Sequence, residues 1–213
     1  MSQQGTTIAI LARAPEPGRS KTRLIPRLGA AGAATLQRRL TARAVNTACA
    51  AALGRVALWG TPDHRHPSFA ALARERSLEL HSQVDGDLGA RMLAAVAAGS
   101  AAGGVLVIGT DCPALVPAHL RDAAAALGRG RDAVVIPAED GGYVLIGLRC
   151  AEPAVFEDID WGGAEVMART RERLAGCGLR WHELPPLWDV DRPADVGRVA
   201  RRWPQLIDGL PAR

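Results

Sequence analysis

The chain has 213 residues, a formal net charge of +4 and 48% hydrophobic residues. That is one ordinary domain's length with enough apolar content for a sizeable core, which excludes a disordered or fibrous protein. No apolar run approaches the roughly 18 residues of a membrane span. Only 4% of residues are aromatic and acids are interleaved with bases, so a base-stacking nucleic-acid surface is not expected. The opening MSQQGTTIAILARAPEPG lacks the basic and long apolar parts of a signal peptide. Cys49, Cys112, Cys150 and Cys177 have no paired spacing, as in a reduced cytosol. The expectation is a cytoplasmic protein, monomer or homodimer, forming a single domain over residues 1–213 with no membrane or nucleic-acid partner.

In chain order, TIAIL at 7–11 predicts a strand buried on both faces. Residues 29–53 carry helical periodicity, 55–60 a second strand, 68–76 a short helix and 78–83 a third strand. An alanine-rich helix is expected over 87–98 and a strongly apolar strand over 104–109. A helix with proline in its first turn is expected over 117–127, followed by strands over 132–137 and 143–148. A helix over 164–175, a strand over 179–184 and a helix over 193–203 complete the pattern. The β-α-β alternation predicts an α/β fold: a doubly wound, mostly parallel sheet in three α/β/α layers.

In such a sheet, ligands sit beyond the carboxyl ends of the strands. The loop 12–24, ARAPEPGRSKTRL, follows the first strand and offers Gly18 with the cations Arg13, Arg19, Lys21 and Arg23. That composition suits a polyphosphate, although it is neither a Walker A loop nor a GxGxxG loop. Lys21 is the lone lysine beside 25 arginines, so it marks a place where a compact ammonium is needed. DGDLGARM at 85–92 offers Asp87 and Arg91 to a nucleotide phosphate, with Gly86 and Gly89 allowing close backbone approach, or else Asp87 simply caps a helix with Arg91 one turn in. GTDCP at 109–113 leaves Asp111 at the end of a buried strand. A divalent cation would compensate that charge, or Thr110 or the next helix could satisfy it. Cys112 reads as packing rather than as a nucleophile. AEDGG at 138–142 has the residues of a hairpin turn, with Asp140, Gly141 and Gly142 able to grip a polar acceptor. PLWDVDRP at 186–193 carries Asp189 and Asp191, which point the same way if extended. One or both could join Asp111 at a magnesium ion, and Asp191 could instead cap the last helix.

These segments resemble a signature family. ARAPEPGRSKTRL is similar to the A-R-x-P-x-P-G-x-x-K-T-R-L motif of bacterial GT-A-like candidate glycosyltransferases, some linked to arsenosugar biosynthesis. QVDGDLGARM, GTDCPAL, AEDGGYVLIGL and PPLWDVDRPADV resemble its further blocks in the same order, from about residue 8 to 199. The wider group is that of the nucleotide-diphospho-sugar transferases, with CMP-KDO synthetase and the guanylyltransferases among them. The resemblance implies phosphate contacts from Arg13, Lys21 and Arg23, and a metal, Mg²⁺ or Mn²⁺, on Asp111 and Asp191. Where the family has W-S-T, this chain has Trp161-Gly162-Gly163, which bears on the acceptor side. The expected activity is metal-dependent glycosyl transfer from a nucleotide sugar to a small-molecule acceptor. Nucleotidyl transfer from an NTP to a small phosphorylated acid stays open beside it, as does a non-catalytic nucleotide-binding module. As catalytic residues, Lys21, Asp111 and Asp140 are the candidates.

Overall fold

Seven strands form one sheet in the computed structural model, which describes residues 5–99 and 103–211. They are β1 (Thr7–Arg13), β2 (Val56–Thr61), β3 (Glu79–Ser82), β4 (Val105–Ile108), β5 (Ala133–Pro137), β6 (Tyr143–Leu148) and β7 (Trp181–Glu183), in the spatial order β3-β2-β1-β4-β6-β5-β7. All pairings are parallel except those of β6, which runs antiparallel to β4 and β5. The reason is chain length: residues 138–142 are enough for a hairpin and too few for a crossover.

Six α-helices flank the sheet: α1 (Ile25–Ala51), α2 (Pro67–Arg76), α3 (Leu88–Gly99), α4 (Pro117–Gly128), α5 (Val166–Gly176) and α6 (Pro193–Arg202). Strand side chains alternate between faces, and the core follows. Ile8, Ile10, Leu106 and Ile108 pack with Val45 of α1, Phe69 of α2 and Leu120 of α4. Ala9, Val105 and Val107 face the other way, toward Met92 and Val96 of α3 and Met167 and Leu174 of α5. This is the expected three-layer arrangement. A third cluster joins Leu28, Leu36 and Leu40 of α1 to Trp188, Val190 and Val196, and so ties the closing segment to the first helix. Among the described residues, no helix is long and apolar enough to cross a membrane.

Boundaries shift where local chemistry competes with periodicity. β1 continues through Ala12 and Arg13 because β2 pairs with them, so the first loop begins at Ala14. A helical turn precedes the expected start of α1 and is set off from it by Gly29 (φ 68°, ψ 165°), a conformation glycine adopts at little cost. Because β1 to β5 and β7 run the same way, the first loop, the β3–α3 turn, the β4 end, the hairpin and the closing segment share one edge of the sheet.

Gly147 in β6 is enclosed from both sides. A Cβ there would lie 2.6 Å from Leu106 Cδ2 and 2.6 Å from Val134 Cγ1. Overpacking of this kind costs about 1–3 kcal/mol, so Gly147→Ala is expected to lower the urea midpoint by that equivalent, measured by circular dichroism.

Candidate active site

A cleft of about 780 Å³ opens at this edge, lined by Arg13, Arg19, Lys21 and Arg23 on one side and by Leu88, Arg91, Met92 and Tyr143 on the other. Asp111, Asp189 and Asp191 also lie on its wall. The first loop is folded by its own backbone: Glu16 O accepts from the Arg19 and Ser20 amides, and buried Ser20 adds a hydroxyl bond to the same carbonyl. The turn ends at Lys21, a non-glycine residue in the left-handed region (φ 49°, ψ 43°). Such a backbone costs of order 1–3 kcal/mol and persists where surrounding contacts over-determine it.

Those contacts are electrostatic. The Lys21 side chain is 4% exposed, and its Nζ lies 2.8 Å from Asp111 Oδ2. It also donates to the carbonyl of Val190. The other Asp111 oxygen accepts from the Thr110 hydroxyl at 3.1 Å. The Val190 amide donates to the Asp111 carbonyl at 2.8 Å, so the closing segment is stitched directly to the end of β4. Val190 is buried between Asp189 and Asp191. Both aspartates reach the cleft, and they differ in partner. Asp191 is ion-paired with Arg23. Among the described residues Asp189 forms no ion pair: burial, with Asp140 and Asp111 facing it, pushes its carboxyl up to about 6, Lys21 opposing. The alternative reading of Asp191 as the helix cap is not what forms. Arg192 holds the cap position of α6, and the Asp195 carboxylate accepts from the Asp191 and Arg192 amides at 3.0 and 2.6 Å.

Asp140 stands beside the cleft wall, its Oδ1 accepting from the Gly142 amide at 3.1 Å. Gly141 is required there: its φ is 97°, and a Cβ would lie 2.0 Å from the Ala164 carbonyl oxygen. The hairpin is held to the closing segment by the Glu139 amide on Leu187 O (2.9 Å) and the Leu187 amide on Pro137 O (3.0 Å). Arg198 of α6 clips the same two pieces together. It grips both Glu139 oxygens at 2.8 and 3.2 Å and lies 4.1 Å over the Trp188 ring.

Other expected residues have structural surroundings. Asp87 caps α3, accepting from the Ala90 amide at 2.8 Å. Gly18 supplies a positive φ in the first loop, away from the cleft wall. Arg91 lines the cleft with its Nε buried and without a hydrogen-bond partner among the described residues. Trp161 packs under Tyr143, edge to face at 6.3 Å, and close over Gly89. It is Tyr143, not Trp161, that reaches the cleft wall. Desolvation pushes the Cys112 thiol up to about 12, so it is packing, as its neighbours implied. Sequence reasoning did not single out Gln37, Gln83, Tyr143 or Arg198. Gln83 Nε2 donates to Ala12 O at 3.1 Å and Trp59 O at 2.7 Å, clamping the ends of β1 and β2. A glutamine at that place in the QVDGDLG block was the available signal.

A family model described as "Uncharacterized protein conserved in bacteria (DUF2064)" matches residues 44–163. The chain is similar to a candidate nucleotide-diphospho-sugar transferase from Desulfovibrio desulfuricans G20, with 30% identity over 95% of this chain and 90% of that one, TM-score 0.81. It is similar in fold to a CMP:2-keto-3-deoxy-manno-octonic acid synthetase complexed with CTP, at 14% identity, 94% and 99% coverage and TM-score 0.58. The same holds for glucosyl-3-phosphoglycerate synthase of Mycobacterium tuberculosis, complexed with Mn²⁺, UDP and glucosyl-3-phosphoglycerate, at 12% identity, 95% and 78% coverage and TM-score 0.55. No curated protein matches the sequence.

Two outcomes test the local chemistry. Lys21→Met leaves one Asp111 oxygen and the Val190 carbonyl without their donor, an unsatisfied-group cost of about 1–3 kcal/mol, readable as a lower urea midpoint. Iodoacetamide at pH 8 is expected to label exposed Cys150 well before Cys112, whose thiolate is scarce, as read by peptide mass spectrometry.

Proposed function

We propose, for a chain that belongs to the bacterial DUF2064 family, that it is a transferase acting on a nucleotide-activated substrate, and specifically a metal-dependent glycosyltransferase with a nucleotide-sugar donor and a small-molecule acceptor. The observation that carries this reading is the placement of Asp111 and Asp189 on the wall of one cleft with the cations Arg13, Arg19, Lys21 and Arg23. The 30% identical relative described as a candidate nucleotide-diphospho-sugar transferase supports it.

The donor set fits a divalent ion. Among the described residues Asp189 forms no ion pair and is buried facing Asp140 and Asp111, so a bound ion would offset the cost of its charge. Among the described residues no three acidic, His or Cys side chains come close enough to ligate an ion alone. This agrees with Mg²⁺, which takes one or two carboxylates and completes its shell with substrate phosphates and water. Asp111 and Asp189 would hold Mg²⁺ or Mn²⁺, whereas Asp191 would keep Arg23 in place. The ion would supply charge neutralisation at the departing nucleoside diphosphate.

The protein's own groups do the rest. Arg13 and Arg23 would meet the phosphates with bidentate donors, and Lys21 would set a fixed point charge beside them from its contact with Asp111. Asp140 would take the proton of the acceptor hydroxyl as its oxygen bonds to the sugar carbon and the sugar–phosphate bond breaks. The hairpin glycines Gly141 and Gly142 would let the acceptor approach the backbone there, and Tyr143 would wall that side. Nucleotidyl transfer is the second reading, favoured by one observation: Arg13 at the end of β1 and the first-loop cations Arg19, Lys21 and Arg23 line the cleft, suited to a leaving pyrophosphate.

Incubation with a panel of nucleotide sugars, and separately with NTPs plus small phosphorylated acids, each with Mg²⁺ or Mn²⁺, distinguishes the two. Slow metal-dependent release of nucleoside diphosphate is expected, reduced roughly 10²-fold or more in Asp111→Asn. Pyrophosphate release from an NTP, with no diphosphate from any sugar donor, would replace the first reading with the second.

A further inference from the structure

A chain of buried polar groups runs from α1 to Asp111 along the cleft wall, which Gln37 and Thr110 also line. Gln37 is 4% exposed, Thr41 2% and Thr110 6%. Gln37 Nε2 reaches Thr110 Oγ1 at 3.0 Å and Thr41 Oγ1 at 3.4 Å. Thr41 gives its single proton to the Gln37 backbone carbonyl at 2.9 Å, so toward the side-chain amide it can only accept. That settles which end of the amide faces the two hydroxyls. Thr110 must then also accept from Nε2. Its own proton is left for Asp111 Oδ1, 3.1 Å away.

We propose that Gln37 is a positioning residue: by donating to Thr110 it obliges the Thr110 hydroxyl to aim its proton at Asp111, and so sets the orientation in which that carboxylate meets its ligand. With Lys21 on Oδ2 and Thr110 on Oδ1, both oxygens are held and the carboxylate plane cannot turn. Without Gln37, the Thr110 hydroxyl is free to rotate toward another acceptor, and one side of that clamp opens. A buried amide N–H is costly unless it has an acceptor. Thr41 on α1 and Thr110 just beyond β4 accept from Gln37 Nε2 here. Supporting groups of this kind are worth roughly 10- to 100-fold in activity or metal affinity. The catalytic consequence rests on the reading of Asp111 as the ligand-binding carboxylate; the hydrogen-bond order does not.

The test therefore has two readouts. In ligand-free protein labelled with ¹³C-aspartate, the Asp111 carboxyl resonance is assigned by its loss in Asp111→Asn. It is expected to move in Gln37→Met and in Gln37→Leu in the same direction as in Thr110→Val, and to stay in place in Thr110→Ser, which keeps the hydroxyl. A resonance that moves in Thr110→Val but is unchanged in a folded Gln37 variant overturns the proposal, whatever reaction the protein performs. With the donor found by the substrate panels, Gln37→Met is expected to lose roughly 10- to 100-fold in kcat with KM within about twofold. The double variant Gln37→Met/Thr110→Val should lose no more than the larger single loss, because one residue acts through the other. Multiplying losses, or an unchanged kcat in Gln37→Met, also overturn it. If no donor is turned over by the parent protein, the functional reading fails while the carboxyl resonance still decides the hydrogen-bond order.

Discussion

One ammonium group holds the working edge together. Lys21 is almost fully enclosed, and a buried charge must be partnered or its cost is several kcal/mol. Its partners are the Asp111 carboxylate at the end of β4 and the Val190 carbonyl in the closing segment. Three stretches separated by 90 and 79 positions in the chain, at 21, 111 and 190, therefore meet at one nitrogen. The left-handed backbone at Lys21 is the strain that this contact sustains. Arginine's planar fork needs a wider space than the one Nζ occupies, which accounts for a lone lysine in a chain that otherwise uses arginine for its cations.

The charge arrangement around this nitrogen is uneven. Asp111 has Lys21 and Thr110; Asp191 has Arg23; among the described residues Asp189 has no such partner and faces Asp140 and Asp111. The position of that third carboxylate is sustained by ties that do not touch its own charge. Val190 is buried and locked to β4, Leu187 is bonded to β5, and Arg198 stacks on Trp188 while gripping Glu139. Packing and backbone bonds thus hold these acids at one edge of the sheet.

Antiparallel β6 is what brings Asp140 to this edge. A crossover after β5 would have carried the chain over the sheet and put other residues between Asp140 and β6. The short hairpin instead returns at once, leaving its turn beside the closing segment, and Gly141 lets that turn press against the Ala164 carbonyl.

Local sequence determined much of this. Apolar runs such as TIAIL and GVLVIG, and helical periodicity between them, predict the elements within a few residues, because buried parallel strands must be apolar on both faces. The β-α-β order places loop ends on one edge, so Lys21, Asp111, Asp140, Asp189 and Asp191 were legible as neighbours of a cleft. Partner choice was not legible. Asp189 and Asp191 stand two apart with the same local character, and only the position of Arg23 relative to the buried Val190 decides that one is paired and the other left in the field of two acids. Gln37 was illegible for a related reason. Within the helix it is one polar residue among several, Thr35, Thr41 and Asn46 among them, and its meaning comes from Thr110 just beyond β4, 73 positions away. Sequence periodicity reports which face of an element is buried; the donors and acceptors that meet across two such faces are set by tertiary packing alone.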